Sequence, residues 1–536
     1  MTFQPTPFYT PILPDNAPFT SEQRAWLNGF LAAMLSPGGG APISLSPAQA
    51  AAFLGSDAGA PEADADDGAP WHDPSMPMDE RMKLAEGKPL RRRMMAAMAQ
   101  QDCGQCGTNC EDYSAAIAAG KEERLNLCQP GGKETLRMLK KLAAELDSAA
   151  AASAAEAKPA PAAVAAPGHS REHPVPAIFR GRRRLNRGIS AKETWHVEFE
   201  LPEGVTYKAG DSFGVVPEND PGLVGAIMLR LGLAADARDG ERLIRDVLIH
   251  DKALGMAPDA LFTLLAETAS DPDEKTRLAR MAEGADVDGD LETMDVLAAL
   301  EKFPSVMPEA DAFLSALDPL QPRLYSISSS PKADAGRLTL TVDAVRYDIG
   351  SRTRLGCAST FLGGRLEEGA SVPVYIQAAH GFGLPEDGSV PIVMVGPGTG
   401  IAPFRAFLQE RLATSASGGA WLFFGHQHRD SDFFYEDELS GLQSAGALSR
   451  LSLAWSRDGD AKTYVQDKML EEGAELFAWL EKGAHFYVCG DAKRMAADVE
   501  RALIAVVEEH GGRDAAAAKA YVAALKAGGR YQADVY

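Results

Sequence analysis

The 536-residue chain is short of positive charge, of cysteine and of long apolar runs. Its 53 Lys and Arg stand against 75 Asp and Glu, for a net charge of -22. This balance excludes nucleic acid as a partner, because a phosphate backbone needs a basic face. No stretch reaches the ~18 consecutive apolar residues that cross a bilayer, and the opening MTFQPTPFY lacks the basic start and apolar run of a secretory leader. The chain therefore reads as cytoplasmic, without membrane association. There are only six cysteines, and Cys103, Cys106, Cys110 and Cys128 lie close together. In a reducing compartment such a group serves as metal ligands or redox groups rather than as disulfides. Cys357 and Cys489 stand apart from it. Hydrophobic content of 45% and charged content of 24% are those of a globular protein, and the length predicts about three to four folded units.

Near the start, TSEQRAWLNGFLAAMLS offers a capping box at Thr20 and Gln23 and an apolar stripe at Trp26, Leu27, Phe30, Leu31, Met34 and Leu35, so a helix is predicted there. Residues 36–70, rich in Gly, Ala, Pro and Asp, read as loop. A helical pattern runs from Met78 to Gln100, the cysteine stretch interrupts it, Gly120 ends the next helix, and KETLRMLKKLAAEL makes another. Residues 147–170 have almost no large apolar side chains and cannot offset the entropy of ordering, which makes them a linker. Short strands follow, WHVEFEL, YKAGDSFGVVP, RLYSIS, RLTLTVDAV and SVPVYIQ, and they predict an antiparallel barrel. Helical patterning interrupts it at about 217–320. After about 388, PIVMVG, WLFFG and FYVCG alternate with helices, the pattern of a doubly wound parallel sheet. There is no internal repeat. Two basic runs, Arg91 to Arg93 and Arg182 to Arg184, read as solvated faces.

Four segments carry chemistry. In PIVMVGPGTGIAPFRAF a buried strand feeds Gly396, Gly398 and Gly400 and then a helix, where bare N–H groups can hold a pyrophosphate. A glycine turn at such a place serves structure as readily, and Ile401 occupies a position where the G-x-G-x-x-G fingerprint has glycine. In WSRDGDAKTYVQ, Ser456, Arg457 and Lys462 gather donors suited to a 2'-phosphate, which favours NADPH over NADH; a solvated loop is the plainer reading. In RLYSISSSP, Arg323 can pair with a diphosphate, and Tyr325 with Ser326 brings an aromatic and a hydroxyl to a cofactor face. In LGCASTFL small residues and hydroxyls precede a helix.

The order RLYSISSSP, GCASTFL, GPGTGIAPFRAF, FFGHQHRDSDFFYEDEL, WSRDGDAKTYVQ, FYVCGD and RYQADVY resembles the diflavin reductases related to ferredoxin–NADP reductase, from about His173 to Tyr536. The terminal RYQADVY and the GCAST variant are most similar to the flavoprotein (alpha) subunits of assimilatory NADPH-sulfite reductase. That resemblance implies that Arg323, Tyr325, Ser326, Gly356, Ala358 and Ser359 hold FAD. It implies that Gly398, Thr399, Ser456, Arg457, Lys462, Tyr464 and Gln466 hold NADPH. Ser326, Cys489 and Asp534 become the hydride-transfer site, with Tyr536 stacked on the isoalloxazine and moving aside for nicotinamide. Relatives carry a flavodoxin-like FMN domain before this half. No such domain is legible here, so FMN is not expected.

A flavin that receives electrons in pairs, as hydride, but serves a one-electron acceptor needs another outlet. The spacing C-x2-C-x3-C-x17-C at Cys103, Cys106, Cys110 and Cys128, with Pro130 after the last, supplies four thiolates for a 4Fe-4S cluster; a structural zinc site would use the same ligands. CGQCG and CQPGG resemble the small 4Fe-4S domains of membrane electron-transport complexes and corrinoid proteins, although here one residue fewer separates the second and third cysteines. The expected fold is multidomain, α+β and α/β. It comprises an N-terminal helical and partly disordered segment (1–80), a small helical iron-sulfur domain (81–146), the linker (147–170), an antiparallel barrel for FAD with a helical insertion (171–387), and a doubly wound parallel-sheet NADP domain (388–536). The expected function is an NADPH-dependent flavoprotein oxidoreductase feeding a sirohaem sulfite reductase subunit, the linker letting the cluster approach FAD and then the partner. Nitrate or nitrite reductase is an alternative acceptor, and a cluster-bearing redox sensor or docking module an alternative class.

Overall fold

The alternation in WHVEFE becomes a strand whose Val197 and Phe199 are fully buried, while Glu198 and Glu200 lie toward solvent. The computed structural model that shows this describes residues 71–72, 76–101, 110–128, 130–150, 166–188, 190–285, 288–379, 381–492 and 494–536. The predicted helix around Trp26 and the loop at 36–70 lie outside the described residues, as do Cys103, Cys106 and residues 151–165 of the linker.

The strands, numbered in chain order, are β1 (Val175–Arg184), β2 (Thr194–Glu200), β3 (Ser212–Val215), a two-residue pair β4 (Arg238–Asp239) and β5 (Arg242–Leu243), β6 (Arg323–Ser326), β7 (Arg337–Asp343), β8 (Arg346–Ile349), β9 (Arg352–Leu355) and β10 (Ser371–Gln377). Six of them form an antiparallel sheet in the order β6-β3-β10-β1-β2-β7. Its two ends meet through the antiparallel bridge Ile327–Leu340, which closes the sheet into a barrel. Phe179, Phe199 and Phe213 fill the interior with ring centroids 5.7 and 5.2 Å apart. The segment between β3 and β6 is largely helical, as the patterning predicts, and has its own core around Phe262, Phe303 and Phe313. Two of its helices open with an aspartate cap followed by proline, at Asp220 and Asp271.

The remaining strands, β11 (Ile392–Val395), β12 (Ala420–His426), β13 (Arg450–Trp455), β14 (His485–Gly490) and β15 (Tyr531–Val535), form a parallel sheet ordered β13-β12-β11-β14-β15. Along β11, Val393 and Val395 enter one core while Ile392 and Met394 enter another, so helices cover both faces. The strand order reverses at β11, which places the glycine turn at the switch point of the sheet. Beyond the two-residue β4 and β5, sequence patterning does not mark β1, β8, β9 or β15 as strands. The β8–β9 hairpin is mostly exposed and carries no apolar alternation.

Residues 78–150 form α1 (Met78–Leu84), α2 (Leu90–Ala97), α3 (Cys110–Ala118) and α4 (Gly132–Ala150). The pattern read as one helix from Met78 to Gln100 is two, broken where Gly87 takes a φ of +75° and Pro89 precedes α2. Alpha-4 continues into the stretch read as linker, because alanine is the strongest helix former. The basic runs are only partly solvated. Arg92 is buried with its guanidinium 5.0 Å from the Trp71 ring, and Arg182 donates to the carbonyls of Leu366 (2.7 Å) and Gly364 (3.1 Å). All described residues belong to one unit, Pro70–Tyr536. Among them no helix is long and apolar enough to cross a membrane.

Candidate functional site

Three residues remote in sequence converge at the end of the parallel sheet. Parallel pairing of β14 with β15 sets Cys489 opposite Asp534, and β6 on the rim of the barrel brings Ser326 to them. Ser326 Oγ donates to Asp534 Oδ2 at 2.5 Å, and Cys489 Sγ lies 3.7 Å from the same oxygen. Burial pushes the Cys489 thiol well above its ordinary range, and the Asp534 carboxylate adds to this, so the sulfur stays protonated. Burial also pushes the Asp534 carboxyl up, against the bonds from Ser326 and Cys489 that stabilise its charged form. The trio thus offers a hydroxyl, a neutral thiol and a carboxyl within one small volume. Tyr536 lies two residues after Asp534, half-exposed, with its hydroxyl 2.7 Å from Thr399 Oγ1.

The glycine turn packs against this trio. A Cβ on Gly400 would meet the Cys489 carbonyl oxygen at 2.1 Å, so the close approach of turn to β14 requires glycine. Gly398 has a φ of +60°, and the short 3-10 turn Gly398–Gly400 opens the helix Ile401–Ala413. At the end of β13 the backbone of Ser456 and Arg457 bonds to the His426 and Gln427 carbonyls at 2.9 Å each. Arg457 and Lys462 are exposed and have no carboxylate partner among the described residues. Tyr464 caps the helix Val465–Glu471, and Gln466 Nε2 reaches Asp498 Oδ2 at 3.4 Å.

On the barrel, among the described residues Arg323 donates only to the Gln321 and Pro322 carbonyls, at 3.0 and 3.2 Å, both from Nη1, which leaves its other donors for an anion. Burial pushes the neighbouring Tyr325 phenol upward. Gly356 fits where a Cβ would strike Ser359 Oγ at 2.5 Å, and Ser359 Oγ accepts from the Val345 N–H at 3.1 Å. Ala358 and Ser359 are buried in the short helix Cys357–Thr360. Arg323, Gly356 and Cys357 line a cavity of about 690 Å³ that also takes in Tyr347 and Arg354. Sequence reasoning missed Tyr347 and Arg354 because the hairpin bearing them lacks strand alternation. This cradle of close backbone approach beside uncommitted guanidinium donors fits a dinucleotide diphosphate.

The comparisons with known proteins agree with this geometry. The family described as FAD binding domain matches residues 244–361, and the family described as oxidoreductase NAD-binding domain matches residues 394–501. The sulfite reductase [NADPH] flavoprotein alpha-component of Cronobacter sakazakii is 39% identical over 456 residues, spanning 79% of this chain and 74% of that protein. This chain belongs to that family. The alpha-component of Salmonella typhimurium is 38% identical over 454 residues, with the same coverage, and that of Salmonella typhi is 41% identical over 378 residues, spanning 69% of this chain and 62% of its own length.

The four clustered cysteines lie N-terminal to both matched family regions. Of the four, Cys110 opens α3 and is buried, and Cys128 is half-buried ahead of α4. Gly131 leaves room for the Cys128 sulfur, which a Cβ there would approach to 3.0 Å. Cys103 and Cys106 lie outside the described residues. Among the described residues no group of three or more His, Cys, Asp or Glu side chains is placed to hold a metal ion.

Proposed function

We propose that this chain carries electrons from NADPH through FAD and a 4Fe-4S cluster to a sirohaem haemoprotein subunit that reduces sulfite. When bound, FAD would take up electrons in pairs, as one hydride, and the cluster would exchange them singly. The observation that carries the proposal is the meeting of Ser326, Cys489 and Asp534 at the junction of barrel and parallel sheet.

Arg323, Tyr325, Gly356, Ala358 and Ser359 would hold FAD, and Ser326, on turning its hydroxyl from Asp534, would donate toward the flavin N5 edge. Gly398 and Thr399 would hold the NADPH pyrophosphate, with Ser456, Arg457 and Lys462 on the 2'-phosphate and Tyr464 and Gln466 beside it. The uncommitted charges of Arg457 and Lys462 support NADPH over NADH. Cys489, neutral because buried, packs without adding charge, and Asp534 stabilises positive charge that develops beside it. Tyr536 covers the site until its bond to Thr399 is released. Cys103, Cys106, Cys110 and Cys128 would hold the cluster.

Protein isolated without oxygen should contain one FAD, no FMN and about four irons per chain. Cys106→Ser should abolish transfer to a one-electron haem-protein acceptor and leave flavin reduction by NADPH intact. Survival of acceptor turnover in that variant would refute the relay.

A further inference from the structure

We infer that the N-terminal helices form one wall of the cavity that receives FAD, so that flavin retention and docking of these helices are a single equilibrium. The inference rests on the reading that FAD occupies this cavity.

The cavity opens where three regions meet: Arg323 and Gly356 come from the barrel, Asp259 from the helical insertion, and Asn126, Cys128 and Lys133 from the N-terminal module. Lys133 Nζ is buried and has no hydrogen-bond acceptor. Its nearest carboxylate oxygen, on Asp259, is 3.9 Å away, and the Phe262 ring lies 5.1 Å off. Burial pushes the ammonium downward. Arg354, which lines the same cavity, is 8% exposed; among the described residues its Nε and Nη1 have no hydrogen-bond partner, although Asp295 balances the charge from 3.1 Å. Buried donors without acceptors are costly. Two such cations facing one cavity from separate modules are satisfied together by an anion between them, and the diphosphate of FAD is of that chemistry.

The module is seated by a few polar contacts. Arg137 Nη2 lies 3.2 Å from Asp259 Oδ1, and Asn126 Nδ2 donates to Asp318 Oδ1 at 3.1 Å. Cys128 lines the same cavity, so a sulfur proposed as cluster ligand opens onto the flavin chamber while the module is docked. Docking in this pose dispenses with the tethered search that the linker suggests. A ligand that binds only the docked arrangement stabilises it by mass action.

The test uses the full chain and two readouts, FAD affinity by flavin fluorescence and hydrogen exchange of residues 132–150 and 259–268. FAD should slow exchange in both segments of the wild-type protein. Asp259→Lys should speed exchange and weaken FAD about fivefold, and adding Arg137→Glu should restore both. Lys133→Ala should weaken FAD about as much while Arg137 keeps the helices seated. Should Asp259→Lys fail to fold, Asn126→Asp, facing Asp318, should shift both readouts the same way. Unchanged FAD affinity with accelerated exchange overturns the inference alone. A wild-type protein that binds no FAD overturns the proposed function, whereas FAD that binds without slowing exchange overturns only the shared equilibrium.

Discussion

The chain contains two interfaces built differently. Where the barrel meets the parallel sheet, Asp432 is fully buried; it accepts from Asn186 Nδ2 (2.8 Å) and Ser190 Oγ (2.5 Å) of the barrel and from the His428 N–H (3.1 Å) of its own side. Arg405 reaches across to the Ser328 carbonyl at 2.6 Å, and the Tyr435 hydroxyl bonds Thr341 at 2.8 Å. Where the N-terminal helices meet the insertion, the contacts among the described residues include the Arg137–Asp259 and Lys133–Asp259 ion pairs, Lys133 over the Phe262 ring and the Asn126–Asp318 bond, with partial solvent access. Hydride transfer needs reacting atoms held in near-attack geometry, which rewards the first kind of interface. Passing a single electron requires only proximity, so the looser seat of the cysteine-bearing module would be enough for the cluster step proposed above.

The comparison breaks most visibly at Asp534. Asp534→Ala should lower the rate of flavin reduction by NADPH about 100-fold in stopped-flow absorbance, as loss of a preorganised charged group does. The same variant, reduced by dithionite, should still pass electrons to a haem acceptor at the wild-type rate. Equal loss in both assays would mean that the two ends are not separable.

Asp432 sharpens the other side of the comparison. Burial pushes its carboxyl up, but the bonds from Ser190 and Asn186 and the His426 charge outweigh that and hold it below its ordinary range. A carboxyl depressed on folding contributes stability that is present above its unfolded pKa, about 3.9, and is lost as pH falls through the folded value. Asp432→Asn should therefore cost about 2 kcal/mol near neutral pH and flatten the acid limb of the unfolding curve, as denaturant titrations at several pH values would show. A variant as acid-sensitive as wild type would assign the acid limb to other groups.

The smallest effect is expected inside the N-terminal module. Thr135 Oγ1, buried in α4, donates to the Ala97 carbonyl at the end of α2 at 2.7 Å. Thr135→Val should cost about 1 kcal/mol, seen as faster exchange in α2 and α4 with flavin reduction by NADPH unchanged. A change in flavin reduction would show that the module and the hydride site are coupled.

Much of this architecture is written in local pattern. The parallel sheet announces itself through strand, glycine turn and helix at 391–411, and the helical insertion through apolar periodicity between two barrel strands. The site is legible as separate motifs, but nothing near Ser326 states that its partner lies 208 residues away, at Asp534. The buried lock at Asp432 leaves no local mark either, since its donors come from Asn186 and Ser190. Arg92 reads as one of three solvated arginines until Trp71 and Glu111 close around it.

By itself the sequence determined most of the helical segments, the strongly apolar or alternating strands, and which residue types stand ready for phosphate, hydride and metal. Those are properties of neighbouring residues, carried by the 3.6-residue and two-residue periods and by the conformational freedom of glycine. The tertiary structure alone decided that β15 pairs with β14 to set Asp534 against Cys489, that β6 closes on β7 beside them, and that α4 leans on Asp259. Such pairings depend on the free energy of packing distant surfaces together, and no local window contains both partners.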